Sequence, residues 1–175
     1  MLLAATALRA DIEVSVAADL QLDGRTALDR RLPLMLVFSA ITCSHCDVLE
    51  EEFIRPMILG GEYRDRILIR KLLLDNGSRV VDFSGRRRSV EEFARSYGVY
   101  VTPTILFVDP QGRQLAERMV GINTLEMYGG YLDQCIDTAL MHIREPERAA
   151  RREACRLVLR RPGETSPARF NPATT

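Results

Sequence analysis

Three stretches of consecutive apolar residues punctuate a chain whose remaining apolar positions recur at helical spacing. Leu34-Met35-Leu36-Val37-Phe38 has no polar interruption, the pattern of a strand covered on both faces. Residues 67–74 form a second such stretch, broken only by Arg70-Lys71, and Thr104-Ile105-Leu106-Phe107-Val108-Asp109 forms a third. Between them the period is helical. Residues 17–31 place Leu20, Leu28 and Leu32 on one face, and Pro33 ends that helix. A second helix starts near Ser44 with Val48, Leu49 and Phe53 inward; Pro56 kinks or ends it and Gly60-Gly61 closes the unit. Strand, helix, strand in this order predicts a parallel crossover.

Past the second strand, Asp75-Asn76-Gly77-Ser78 reads as a turn and residues 79–86 as a small exposed hairpin. Ser89 with Glu92 three positions later is a capping box for a helix to about Tyr97. Asp109-Pro110-Gln111-Gly112 fits a type I turn, leading to an antiparallel partner strand over 114–120. Asn123 or Thr124 then caps a helix reaching about Ile143. After Glu145-Pro146 the composition changes: 147–161 is arginine-rich and helical in pattern, and 162–175 carries the Pro, Ser, Thr and Gly content of a disordered tail. The organisation expected is an N-terminal segment over 1–16, one domain over 17–143, and an Arg-rich helix with a flexible tail over 144–175.

The chain has 175 residues and a formal net charge of zero, enough for one substantial core and without the field that nucleic acid or an acidic membrane would select. No apolar stretch approaches the roughly 20 residues of a membrane span. Lys71 is the sole lysine among 24 basic residues; arginine dominance of this kind reads as a GC-rich bacterial genome rather than as function. The beginning, Met1 to Ala10, is apolar with an Ala5-Thr6-Ala7 step like an export cleavage site. It lacks a basic n-region and a full apolar length, so it reads as a truncated signal or as none.

The chemistry concentrates at Cys43-Ser44-His45-Cys46, where the first strand gives way to a helix. Two thiols three residues apart close a small disulfide, and the first sits where unpaired N–H groups and the helix dipole favour a thiolate. His45, beside the second cysteine, could add positive charge or a hydrogen bond that modulates that thiolate. The competing readings of the pair are a structural disulfide and half of a zinc site. Zinc would have to recruit two more ligands from His142, Cys135 and Cys155, and no metal is expected. Cys135, mid-helix beside Leu132 and Ile136, reads as a buried inert thiol. Cys155 is either a free thiol or its partner.

The motif, the element order and Val101-Thr102-Pro103-Thr104 before the third strand together resemble the thioredoxin superfamily over roughly residues 30–143. Val120-Gly121 and the Lys71-to-Asp75 spacing add to the likeness. The resemblance implies an α/β thioredoxin-like fold, a central mixed β-sheet with helices on both faces. It also implies that Pro103 follows a cis peptide bond and leaves the Thr102 backbone free to pair with a substrate. Departures accompany it: Thr42 replaces the usual tryptophan, Ser44-His45 the usual Gly-Pro, and Val37 the buried aspartate six residues before the first cysteine. The extra length near 76–90 and these departures look closer to exported bacterial thioredoxin-like proteins, SoxW-like ones included, than to cytosolic thioredoxin. His45 is similar to the histidine of the DsbA oxidants, although there is no room for their inserted helical domain.

The activity so implied is protein thiol–disulfide exchange, Cys43 as nucleophile and Cys46 resolving the mixed disulfide, with no cofactor beyond the Cys43–Cys46 disulfide itself. The expected setting is a periplasmic reductase of protein disulfides, recharged by a membrane or thioredoxin-system electron donor. The alternatives are a cytosolic thioredoxin-like reductase and a redox-inactive binding or chaperone module.

Overall fold

A computed structural model describes residues 13–150. Helix α1 (Leu20–Arg30) opens on Asp19, whose carboxylate accepts the Leu22 N–H at 2.8 Å, and closes on Arg31 in the left-handed region. Its buried stripe is Leu20, Gly24 and Ala27, and Leu28 faces solvent. Ala27 returns to within about 20° of Leu20 around the helix, whereas Leu28 lies about 80° further on. The expected Leu20–Leu28 pairing is therefore corrected by one residue, and Leu32 is buried beyond the helix end.

Strand β1 (Leu34–Ser39) is buried at all six positions. It lies between β2 (Leu68–Leu73), parallel with Leu34 opposite Leu68, and β5 (Thr104–Val108), antiparallel with Leu34 opposite Val108. The short β6 (Met119–Val120) completes a mixed sheet in the order β2-β1-β5-β6. Successive strand side chains alternate between faces. Leu34, Leu36, Phe38, Leu72, Leu106 and Val108 pack with α1 and α4 (Val90–Ser96). Met35, Val37, Ile105 and Phe107 pack on the opposite face with Leu49, Met57, Leu132 and Ile136. The chain is thus an α/β thioredoxin-like fold, a central mixed sheet with helices on both faces.

The helix after β1 is not one regular element. α2 (Ser44–Leu49) passes into a π-helical turn over Glu50–Ile54 and then α3 (Arg55–Gly60). Pro56 has no N–H to give the fourth residue back, and the Arg55 N–H reaches Glu50 instead, five back. Proline therefore widens this helix rather than stopping it, and Gly61 ends it at φ 73°. Of the three expected inward residues, Leu49 is fully buried, Phe53 is half-buried and Val48 is exposed.

β3 (Arg79–Val81) and β4 (Arg87–Ser89) form the hairpin expected near 79–86, but it is not simply exposed. Val80 is fully buried, the Val81 N–H donates to Ala18 O, and Phe83 packs at 6.3 Å from Phe93. The hairpin turn is built on buried Asp82, whose Oδ1 accepts from the Ser84 N–H, the Ser84 hydroxyl and the Arg86 N–H. Ser89 and Glu92 make the reciprocal capping box of α4. The expected strand over 114–120 is reduced to a bridge at Gln114 and to β6. Between them Gln114 donates to Ala116 O and receives Arg118, so the backbone leaves the ladder to close a side-chain-held loop. α5 (Leu125–Arg144) follows Thr124 and buries Tyr128, Leu132, Ile136 and Ala139. Residues 146–150 are helical again, with Ala149 buried; the rest of the expected Arg-rich helix and the tail lie outside the described residues.

Candidate active site

Cys43 is the N-cap of α2, with extended backbone (φ −132°, ψ 94°) that turns its side chain toward the first helical N–H groups. The Cys46 N–H donates to Cys43 Sγ at 3.2 Å and the Asp47 N–H to Cys43 O at 3.1 Å. A sulfur thus holds the position that serine or aspartate usually takes at a helix start. Cys43 and Cys46 are joined as a disulfide, their Cα atoms 5.2 Å apart. The two sulfurs are not equivalent: Cys43 is half-buried, and Cys46, inside the first turn, is 5% exposed. The loop ahead of them is pinned by Asp75, whose two carboxylate oxygens accept the Ile41 N–H at 2.9 and 3.0 Å.

The Thr102–Pro103 element comes to the same place from the far side of β1. Its peptide bond is cis, and the Thr102 hydroxyl donates to Cys43 Sγ at 3.4 Å. Pro103 is buried, and its carbonyl accepts the Gly121 N–H at 2.8 Å, which ties the loop after β6 to the same corner. Gly121 adopts φ 67°, a conformation that favours glycine. Four predicted residues, Cys43, Cys46, Thr102 and Pro103, therefore meet. Ile41, Tyr100, Val101 and Val120, their neighbours along the chain, are exposed apolar side chains.

His45 lies on the exposed side of the first turn, and no described residue hydrogen-bonds its imidazole. Cys135 sits on α5 with its thiol 3.6 Å from Glu117 O, and burial, with the Glu117 charge second, pushes it up to about 11. A thiol so raised is a poor nucleophile, in line with the unreactive role expected, although Cys135 is half-buried rather than buried. Cys155 lies outside the described residues. Among the described residues no cluster of three His, Cys, Asp or Glu side chains is placed to hold a metal ion.

One feature at the site escaped the sequence reading. Lys71 pairs with Glu50 (Nζ to Oε2 2.8 Å), both side chains 17% exposed. Lys71 is directly opposite Val37 in the parallel register. The Arg55 Nε stands 4.0 Å from the other Glu50 oxygen and is buried with no hydrogen-bond partner among the described residues. The signal was available in the spacing: Glu50 follows Cys46 by four residues on a helix, so the two share a face.

The geometry can be set beside known proteins. The family model described as "Thioredoxin-like domain" matches residues 20–136. No curated protein sequence matches the chain. Among solved structures the chain is similar to a thioredoxin-fold protein from Helicobacter pylori at 17% identity, over 76% of this chain and 93% of that one, with a TM-score of 0.47. It is similar to thioredoxin O2 from Arabidopsis thaliana (21%, 69% and 91%, TM-score 0.43) and to thioredoxin NaTrxh from Nicotiana alata (21%, 70% and 95%, TM-score 0.43). At these scores the structures carry no functional argument. The family match rests on the sequence itself and runs through the disulfide, the Thr102–Pro103 corner and the whole sheet; the chain belongs to the thioredoxin-like family.

Proposed function

We propose that the protein is a thiol–disulfide oxidoreductase that reduces protein disulfides through the Cys43–Cys46 dithiol. The observation that carries this reading is the convergence on one sulfur, Cys43 Sγ, of the Cys46 N–H and the Thr102 hydroxyl. Both are donors, and hydrogen bonds to a charged acceptor are the strong ones, so both favour a Cys43 thiolate over a thiol in the reduced protein. That thiolate attacks a substrate disulfide to give a mixed disulfide and a released substrate thiolate. Cys46 then attacks Cys43 Sγ, expels the second substrate sulfur and restores the internal disulfide, so that two electrons have passed to the substrate.

The Thr102 backbone and the exposed Ile41, Tyr100 and Val101 suit an extended, partly apolar protein segment as substrate. His45, in the first turn, is assigned the role of tuning the Cys43 thiolate. No cofactor other than the disulfide is required. The Ala5-Thr6-Ala7 step and the Thr42 and Val37 departures support a periplasmic setting, with a membrane or thioredoxin-system donor returning electrons. Insulin reduction tests the activity, and Cys46→Ser tests the route. The variant should retain substrate proteins as mixed disulfides on Cys43, identifiable by mass spectrometry. Absence of any Cys43 adduct, together with no insulin reduction by the native chain, would leave the disulfide structural.

A further inference from the structure

Cys46 raises a problem of protons. In the proposed cycle its thiol must lose a proton each time it resolves the mixed disulfide, yet at 5% exposure it has little direct access to water. The titratable groups near it differ in their placement. Asp47, the next residue, points elsewhere, because adjacent helical residues do not share a face, and it is exposed. Asp75 is engaged by the Ile41 N–H. His45 faces solvent. Among the described residues Glu50 alone combines the spacing that puts it on the face of Cys46, Cβ atoms about 5–6 Å apart in an α-helix, with a largely buried carboxylate paired to Lys71 of the central sheet. Its own N–H donates to Cys46 O, so the helix is still intact between them.

We propose that Glu50 is the proton acceptor for Cys46, held in place by Lys71 and Arg55; this rests on the thiol–disulfide reading above. Several independent features support it. The chain's only lysine is spent on this carboxylate, and burying an ion pair costs desolvation that a surface pair would avoid. The π-helical turn begins at Glu50 itself, and such turns recur at functional sites. The buried Arg55 Nε, without a hydrogen-bond partner among the described residues, stands 4.0 Å from Glu50 Oε1, within reach of a small shift of the carboxylate. The charged groups beside Glu50 are Lys71 on β2 and Arg55 on α3; Cys46 lies one helical turn before it, and β1 presents the apolar Val37 opposite Lys71.

The Cys46 S–H proton passes to a Glu50 oxygen, directly or through one water, and the Cys46 sulfur attacks Cys43 Sγ. The bond from Cys43 to the substrate sulfur breaks, and that sulfur leaves with the electron pair as a thiolate. Glu50, touching water at 17% exposure, then releases the proton to solvent or to the departing thiolate.

A two-phase reaction of the reduced, full-length chain with 5,5′-dithiobis(2-nitrobenzoate) separates the steps. The first thionitrobenzoate released reports Cys43 attack and the second reports resolution by Cys46. Glu50→Gln should slow the second release by about tenfold or more near pH 7 and leave the first within about twofold. The second-phase rate should also become steeper with pH, since hydroxide takes over. Glu50→Gln/Lys71→Met, which leaves no unpaired charge, should behave alike and covers a failure of the single variant to fold. Val37→Asp/Glu50→Gln restores a carboxylate beside Lys71 and should recover the second phase. A second phase indifferent to Glu50 in both variants overturns the proposal, and so does a rescue variant as slow as Glu50→Gln. Loss of the first phase in the native chain would instead overturn the underlying thiol–disulfide reading.

Discussion

Around Cys43 single atoms decide the chemistry. The Thr102 hydroxyl and the Cys46 N–H act on the same sulfur, so removing one should move its ionisation without abolishing it. Thr102→Val keeps the shape and deletes the donor; in the reduced protein the Cys43 pKa should rise by about one unit. The pH dependence of iodoacetamide alkylation reads this directly, and an unmoved midpoint would show that the 3.4 Å contact contributes nothing to the thiolate. The tuning role proposed for His45 has to be exercised from an exposed position with no hydrogen bond to either sulfur, so the effect expected is small. His45→Ala should lower the reduction potential by on the order of 10–30 mV, measured against glutathione. A potential identical to the native one removes His45 from the site. At this scale the sequence was readable where chemistry depends on residue type and local spacing, as at Cys43 and Cys46. It was not readable for Lys71, whose direction depends on a carboxylate twenty-one residues away in the helical segment after β1.

The hairpin β3–β4 illustrates what happens at the scale of an element. Its turn is organised by one buried carboxylate, Asp82. Burial alone would raise the Asp82 pKa, but the hydrogen bonds from Ser84 and Arg86, with the Arg86 charge, hold it below its usual value. A depressed carboxyl pKa contributes stability that is present above the unfolded value, about 4, and is lost as the pH falls through the folded one. The native chain should therefore lose stability in acid below about pH 4. Asp82→Ala should be less stable at pH 7, by roughly 1–3 kcal/mol for the unsatisfied donors, and should show a flatter acid limb. Urea midpoints across pH 2.5–6 test both; parallel curves for the two proteins would refute the assignment. The hairpin itself was legible, from turn residues between short β-prone stretches, and so was the Ser89–Glu92 cap. Burial of Val80 was not, because it depends on where α1 lies.

For the molecule as a whole, two close approaches join distant parts. A Cβ on Gly24 would lie 2.4 Å from Pro110 O, so α1 touches the β5–β6 turn with backbone against backbone. In an ordinary helix interior Gly→Ala stabilises by up to about 1 kcal/mol. Here Gly24→Ala should destabilise instead, by about 1–2 kcal/mol net of that gain, with denaturant midpoints as the measure. A stabilised variant would show that the contact yields freely. At Gly112, φ is 85° and a Cβ would meet Phe83 and the Tyr97 hydroxyl, each at 2.5 Å. That hydroxyl donates to Gly112 O within the core, and burial holds its pKa far above the normal range. Both glycines join the sheet to the helices on the Leu34–Leu36–Phe38 face, away from the disulfide, so they position the scaffold and not the reacting atoms.

The amino-acid sequence by itself determined the local events: the buried strands, the Ser89–Glu92 helix cap, the two thiols one turn apart and the Thr-Pro step. Each of these depends on neighbours within a few residues, where sterics, hydrogen-bonding capacity and periodicity act without knowledge of the rest. Only the tertiary structure decided which of them meet. It brought Thr102 onto Cys43 across fifty-nine positions of sequence, turned Leu28 outward and Val80 inward, and set Glu50 and Lys71 against each other. The physical reason is common to all three: a side chain's partner is set by strand register and helix placement, which the whole core fixes together.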